Sequence, residues 1–199
     1  MSFKEDNYEH VKGALSQDLL KFLKINYDIH EFAGYIQNPP TEDNPFPFGD
    51  VQTPTSFAFY GSLPGDSLLI YLKPMLEKVT GEKLIETYSY MRIYYTDSEL
   101  KRHIDRPSCE LSATICIKKG SKDWPIYFEK PDGEKVKIEM EEGDLVVYRG
   151  CLLPHWRDKY DGDRHYQVFV HFVTKDGKFG EDYRYDKRKF LWQPSVNQK

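Results

Sequence analysis

The sequence predicts an α+β fold, mainly β with helices at its N-terminal end, and three observations carry that prediction. Apolar residues recur at helical spacing in the first third of the chain. From Leu84 onward, short segments alternate apolar with polar side chains, the pattern of strands. Turn sequences separate those segments: PDGE at 131–134, EEGD at 141–144, DGD at 161–163 and KDG at 175–177. Many short strands joined this way form a sandwich or barrel, and helices placed ahead of them pack on its outside.

Taken in order, Ser16 is a cap for a helix carrying Leu19, Leu20, Phe22, Leu23 and Ile25. Asp66 or Ser67 opens a second helix, with Leu68, Leu69, Leu72, Met75, Leu76 and Val79 on one stripe and Gly81 as its stop. Pro74 is expected to kink or divide it. Between the helices, Asn38–Thr55 holds five prolines and reads as a long surface loop of the kind that carries function. The strands follow at Leu84–Tyr95, Leu111–Ile117, around Val136–Met140, at Leu145–Tyr148 and at Tyr166–Val173. The expected organisation is a single domain: helical support over about 1–82, a β core over about 83–175 and a charged, aromatic tail at 176–199.

Composition removes several function classes. No run approaches the ~18 apolar residues of a membrane-spanning helix, so no membrane role is expected. The N-terminus MSFKEDNYEHVKG lacks the apolar stretch of a secretory signal. A net charge of −4 argues against a general binder of nucleic acid. Cys109, Cys116 and Cys151 are odd in number and form no C-x-x-C pair, which points away from disulfides or a thiolate zinc site and toward a reducing, cytoplasmic compartment.

One cluster looks chemical. His103-x-Asp105 places two metal-capable side chains on one side of an extended segment. Alone the pair is a weak signal, more readily read as a solvated His and Asp in KRHIDRP. Downstream, His155 follows the strand LVVY, and Arg164 comes nine residues after it at the start of RHYQVFVHFV. Two histidines and one carboxylate occupy one face of an octahedral ferrous ion and leave positions open for co-substrate and oxygen. An inward-facing arginine supplies a planar fork for a carboxylate.

From Tyr88 to Val173 the chain resembles the Fe(II)/2-oxoglutarate-dependent dioxygenases, and among them the prolyl 4-hydroxylase-like branch. The likeness rests on MRIYYTDSELKRHID, LSATICI, EEGDLVVYRG and LPHWRDKYDGDRHYQVFVHFV. It implies a double-stranded β-helix, a jelly roll of about eight strands. It also implies iron on His103, Asp105 and His155, no further catalytic residue beyond these ligands, and 2-oxoglutarate held by Arg164 and Tyr94, with Tyr95 as the alternative if the register shifts by one. O2 and ascorbate complete the set, with 2-oxoglutarate consumed to succinate as an aliphatic carbon is hydroxylated. The expected substrate is a prolyl residue of a peptide or protein. Trp124, Tyr127, Trp156 and Arg157 are candidate substrate contacts, and Phe46 and Phe48 with Trp124 and Tyr127 are candidate walls of a peptide groove. The matching stretch Trp124–Phe128 lacks a Gly-Gly pair common in the family, which bears on substrate identity, and Lys119 stands where some relatives have a co-substrate tyrosine. His165 and His171 have the opposite parity to Arg164 and are expected to face outward or pack. A free amino acid or other small metabolite is the alternative substrate, for which Arg102, Arg106 and Arg157 are candidate anchors. A non-catalytic jelly-roll binding module and a zinc hydrolase are the readings from other classes.

Overall fold

The structure, a computed structural model, describes residues 3–192. A single helical turn, α1 (Phe3–Asp6), leads into strand β1 (Tyr8–Val11) and helix α2 (Gln17–Gln37). Strand β2 (Ser56–Tyr60) and helix α3 (Leu63–Thr80) follow the proline-rich loop. Eight strands complete the core: β3 (Leu84–Tyr95), β4 (Leu100–His103), β5 (Leu111–Lys118), β6 (Ile126–Glu129), β7 (Lys135–Ile138), β8 (Leu145–Tyr148), β9 (His155–Arg157) and β10 (Arg164–Thr174). They form two antiparallel sheets, one ordered β1-β8-β5-β10-β3-β2 and the other β4-β9-β6-β7, packed as the sandwich of a double-stranded β-helix. Among the described residues no helix is long and apolar enough to cross a membrane.

The N-terminal third is therefore not helical support alone. Tyr8–Val11 and Ser56–Tyr60 add a strand to each edge of the larger sheet. Ser16 caps α2 as expected, its hydroxyl accepting from the Leu19 amide at 3.3 Å. The second helix starts earlier than Asp66: Ser62 is the cap, accepting from the Gly65 amide at 3.1 Å, and Pro64 sits in the first turn, where a missing N–H costs nothing. Asp66 is instead buried, taking the Ser89 hydroxyl at 2.6 Å. Pro74 does not divide α3, because it lies on the exposed side, where the carbonyl it frees can be hydrated. Gly81 ends the helix with φ +73°, a left-handed conformation that glycine adopts without a Cβ penalty.

The larger sheet is buried on both faces. Its helix side carries Met91, Ile93, Leu111, Ala113, Ile115, Val168, Val170 and Phe172 against Leu20, Leu23, Tyr27, Leu69, Leu72 and Leu76. A second core of Tyr8, Ile126, Phe128, Met140, Val146 and Tyr148 fills the space between the sheets. Tyr94, Trp124, Tyr160 and Phe169 form a third, aromatic cluster. Of the apolar positions on α2, Leu20 and Leu23 are buried, while Phe22 and Ile25 stay exposed along with Ile29, Phe32 and Ile36.

Candidate metal centre

β4 ends at His103, and the chain then turns into the short 3-10 segment Pro107–Cys109, with the Asp105 amide donating to the Gly150 carbonyl at 2.8 Å. β9 begins at His155, which pairs in register with His103. The three side chains converge: one ligand atom from each of His103, Asp105 and His155 lies within 4.8 Å of the others. Both imidazole Nε2 atoms are 3.6 Å from Asp105 Oδ1.

The hydrogen bonds behind the cluster fix which nitrogens face it. His103 Nδ1 donates to the Lys101 carbonyl at 2.7 Å and His155 Nδ1 to the Leu153 carbonyl at 2.9 Å. A carbonyl only accepts, so in the neutral rings the proton sits on Nδ1 and each Nε2 lone pair points at the shared centre. Ser112 donates to Asp105 Oδ2 at 2.9 Å and leaves Oδ1 toward the histidines. Burial works against ionisation of Asp105, but His103, the other imidazoles and Ser112 outweigh it and hold the carboxyl at about 2. Burial also pushes His155 below its ordinary value, keeping it neutral. Against its burial, Asp105 and the Lys101 carbonyl raise His103 above its ordinary value. With Nε2 of both rings deprotonated, two imidazoles and an ionised carboxylate suit a divalent ion such as Fe(II), so the residues present fit the metal that the sequence implies.

Gly150 belongs to this construction. A Cβ built on it would overlap Asp105 Oδ2 and the Cys109 carbonyl, and would stand 3.0 Å from Asp105 Cβ. Gly150→Ala is expected to displace the carboxylate and weaken Mn(II) affinity about ten- to a hundredfold, the range seen when a group supporting a ligand is lost. Calorimetric titration of the metal checks it, and an unaltered affinity would mean that the Asp105 loop gives way at no cost.

Around the centre lies a cavity of about 390 Å³, lined by Asp50, Gln52, Tyr60, Tyr88, Tyr90, Arg92, Arg106, Phe169 and His171 among others. Two segments distant in sequence border it. The 38–55 loop brings Asp50, which pairs with Arg92 and accepts from Tyr90 at 2.6 Å, and Gln52, whose amide reaches His103 Nε2 at 2.9 Å. The C-terminal 3-10 segment Gly180–Lys187 brings Asp186, held by Arg106 at 2.7 and 2.8 Å and by Tyr60 at 2.7 Å.

The structure is similar to that of a prolyl-4-hydroxylase from Pseudomonas putida, with a TM-score of 0.65 and 15% identity over 85% of this chain and 94% of that one. It is also similar to SnoK, a non-heme alpha-ketoglutarate-dependent carbocyclase from nogalamycin biosynthesis (TM-score 0.68, 12% identity, 92% and 84% covered). HygX from Streptomyces hygroscopicus, solved with nickel, 2-oxoglutarate and hygromycin B bound, gives 0.64 at 10% identity, with 85% and 84% covered. The fold is that of the Fe(II)/2-oxoglutarate oxygenases. No family model matches the chain, and no curated protein matches its sequence.

Within the oxygenase fold the remaining expected site residues separate. Arg164 is not brought to the centre. It shares the helix side of β10 with Tyr166, Val168 and Val170, and its guanidinium pairs with Glu31 of α2. His165, Gln167, Phe169 and His171 occupy the opposite, barrel side: the two histidines keep the expected opposite parity to Arg164 and pack, but it is their side of the strand, not the arginine's, that faces inward. Tyr94 is buried in the barrel, taking the Arg92 guanidinium at 3.1 Å and meeting Trp124 edge-on. Tyr95 faces the helices and donates to Glu31. Trp124 and Arg157 are buried inside, whereas Tyr127 and Trp156 stack on each other on the far face of the smaller sheet. Phe46 stacks on Tyr95 and Phe48 packs on Tyr35 and Phe57, so these aromatics do not wall a common groove with Trp124 and Tyr127. Lys119 pairs with Asp123 and Glu141, and Arg102 with Glu129, all at the surface.

His171 and Cys109 form a second group with Asp105. Burial raises the Cys109 thiol well above its ordinary value, which disfavours a thiolate ligand. The pair serves as a buried wall, His171 Nδ1 meeting the Ser112 hydroxyl at 2.8 Å and Cys109 Sγ the Tyr88 hydroxyl at 3.0 Å. Sequence reasoning missed Asp50, Gln52, Arg92, Ser112 and Asp186. The one signal for the first two was the length and proline content of their loop.

Proposed function

We propose that the protein is an Fe(II)- and 2-oxoglutarate-dependent oxygenase acting on an aliphatic carbon of a small, polar substrate. The observation that carries the class is the convergence of two imidazole Nε2 atoms and one carboxylate at the wall of a cavity inside this fold. When bound, the iron supplies the oxidising chemistry, coupled to conversion of 2-oxoglutarate to succinate. The chain's own task is to hold and orient. His103, Asp105 and His155 hold the ion from one side, and Ser112 and the two backbone carbonyls keep their donor atoms aimed. The 38–55 loop lines the cavity with Asp50 and Gln52, and Asp186 holds the lining residues Arg106 and Tyr60 in place.

The cavity supports this substrate class. A volume of about 390 Å³ is at the small end of ligand pockets, and its Asp50–Arg92 and Arg106–Asp186 pairs suit hydroxyl and amine groups. A prolyl residue in a polypeptide is the second reading, favoured by the likeness to the Pseudomonas putida enzyme. The deciding assay supplies Fe(II), ascorbate and 2-oxoglutarate, measures succinate, and screens small polar compounds and proline-containing peptides for a gain of one oxygen. Absence of succinate under every condition would favour the non-catalytic binding module. Peptide modification without small-molecule turnover would favour the prolyl reading.

A further inference from the structure

The barrel holds a guanidinium that nothing acidic answers. Arg157 is 1% exposed. Its Nη1 donates to the Trp124 carbonyl, its Nη2 lies 3.7 Å from Met140 Sδ, and its plane is 5.1 Å from the centre of the Trp124 ring. Its Nε has no partner, and none of the described carboxylates pairs with it. A buried charge without a counter-charge is strongly unfavourable, so a folded chain that retains one has a reason outside its own packing. The other arginine of the interior, Arg92, differs in this respect, since Asp50 neutralises it.

The surroundings point to a ligand as well. Next to Trp124 is another buried polar atom without a partner, His165 Nδ1. Tyr94 meets the same indole, with ring centres 4.6 Å apart. On β9, His155 and Arg157 are both buried while Trp156 between them faces out, so the metal ligand and the guanidinium share the inner face. Two residues along a strand span about 6.6 Å. A dicarboxylate chelating the metal beside His155 with one end would extend along the inner face of β9 toward Arg157 with the other. Arginine's planar fork is suited to the free carboxylate.

We infer that Arg157, and not Arg164, is the residue that binds the distal carboxylate of 2-oxoglutarate. This rests on the oxygenase reading above. The test is anaerobic calorimetry of Mn(II)-loaded protein with 2-oxoglutarate and with 2-oxopentanoate, which has the same chelating end but a methyl group at the far end. The parent is expected to prefer the diacid by tenfold or more. Arg157→Met should lose that preference while binding 2-oxopentanoate and Mn(II) as the parent does, Arg157→Lys should keep part of it, and Arg164→Ala should keep all of it. A preference that survives in Arg157→Met, or one that disappears in Arg164→Ala, overturns the assignment. Should Arg157→Met fail to fold, Arg157→Lys decides with Arg164→Ala: an unchanged diacid affinity in the lysine variant is equally fatal. A parent that binds Mn(II) and 2-oxopentanoate without preferring the diacid overturns the Arg157 inference alone. A parent that binds Mn(II) and neither keto acid overturns the oxygenase reading with it.

Discussion

Asp105→Ala is expected to abolish turnover and to lower Fe(II) or Mn(II) affinity by more than a hundredfold. Asp105 is the one anionic donor of the cluster, and both Nε2 atoms are set 3.6 Å from its Oδ1. Removing it leaves two neutral nitrogens, and a hundredfold is already the upper range for losing a mere supporting contact. His103→Ala and His155→Ala should fall in the same class. His155→Ala carries an added stability cost because the ring is buried against Tyr148 and Phe128. Anaerobic metal titration of each variant, with circular dichroism to verify folding, is the measurement. A folded variant of any of the three that keeps parental affinity and turnover would show that the metal sits elsewhere.

The metal-free protein is expected to lose several kcal/mol of stability between pH 7.5 and pH 5. Burial holds His165 down at about 3 and His171 at about 4, against an ordinary value of 6.5. In the unfolded chain both rings take up protons as pH falls through 6.5, while the folded chain keeps them neutral until it reaches those lower values. The unfolded state therefore binds more protons throughout this window. The stabilisation is complete above pH 6.5 and is lost on acidification. At pH 5 each ring accounts for about 2 kcal/mol, roughly 4 kcal/mol together, which for a chain of this length lowers Tm by about 10 °C. Asp50 and Asp186, both held below the usual carboxylate range, extend the loss below pH 4 by the same sign. Thermal melts at pH 7.5, 6 and 5 test this, with His165→Gln expected to flatten about half of the slope. An equal Tm at pH 7.5 and 5 would show that the two rings are protonated in the fold.

Much of the architecture was legible before any coordinates. Richness in Ile, Thr and Tyr located Leu84–Tyr95, and the apolar run after the EEGD turn located Leu145–Tyr148, both to the residue. The His103, Asp105 and His155 grouping was legible for a similar reason: neighbours on an extended segment and a residue opening a later strand are local features, and the register His103 with His155 brings them together. The Ser62 cap escaped notice because Ser, Asp and Ser again compete within a few residues, and Pro64 decides among them by occupying the first turn.

The position of Arg164 shows where that legibility ends. Period-two alternation states that Arg164 and His165 lie on opposite faces of β10, and it states nothing about which face is which. When one face meets water the polarity of the side chains settles the question, but β10 is buried along nearly its whole length on both sides. The decision falls to partners far away in the chain. Glu31 lies 133 residues from Arg164 and draws it to the helix side, while Ser112 and Cys116 receive His171 and His165 in the barrel. Asp50 and Asp186 reach the cavity by the same kind of long-range closure, one from a loop and one from the C-terminal segment. The sequence by itself determined the longer core strands, their turns and the three metal-capable side chains, which depend on near neighbours, but not the edge strands β1 and β2. The tertiary structure alone decided which arginine stands inside the barrel, because that depends on which of two buried faces the helices cover.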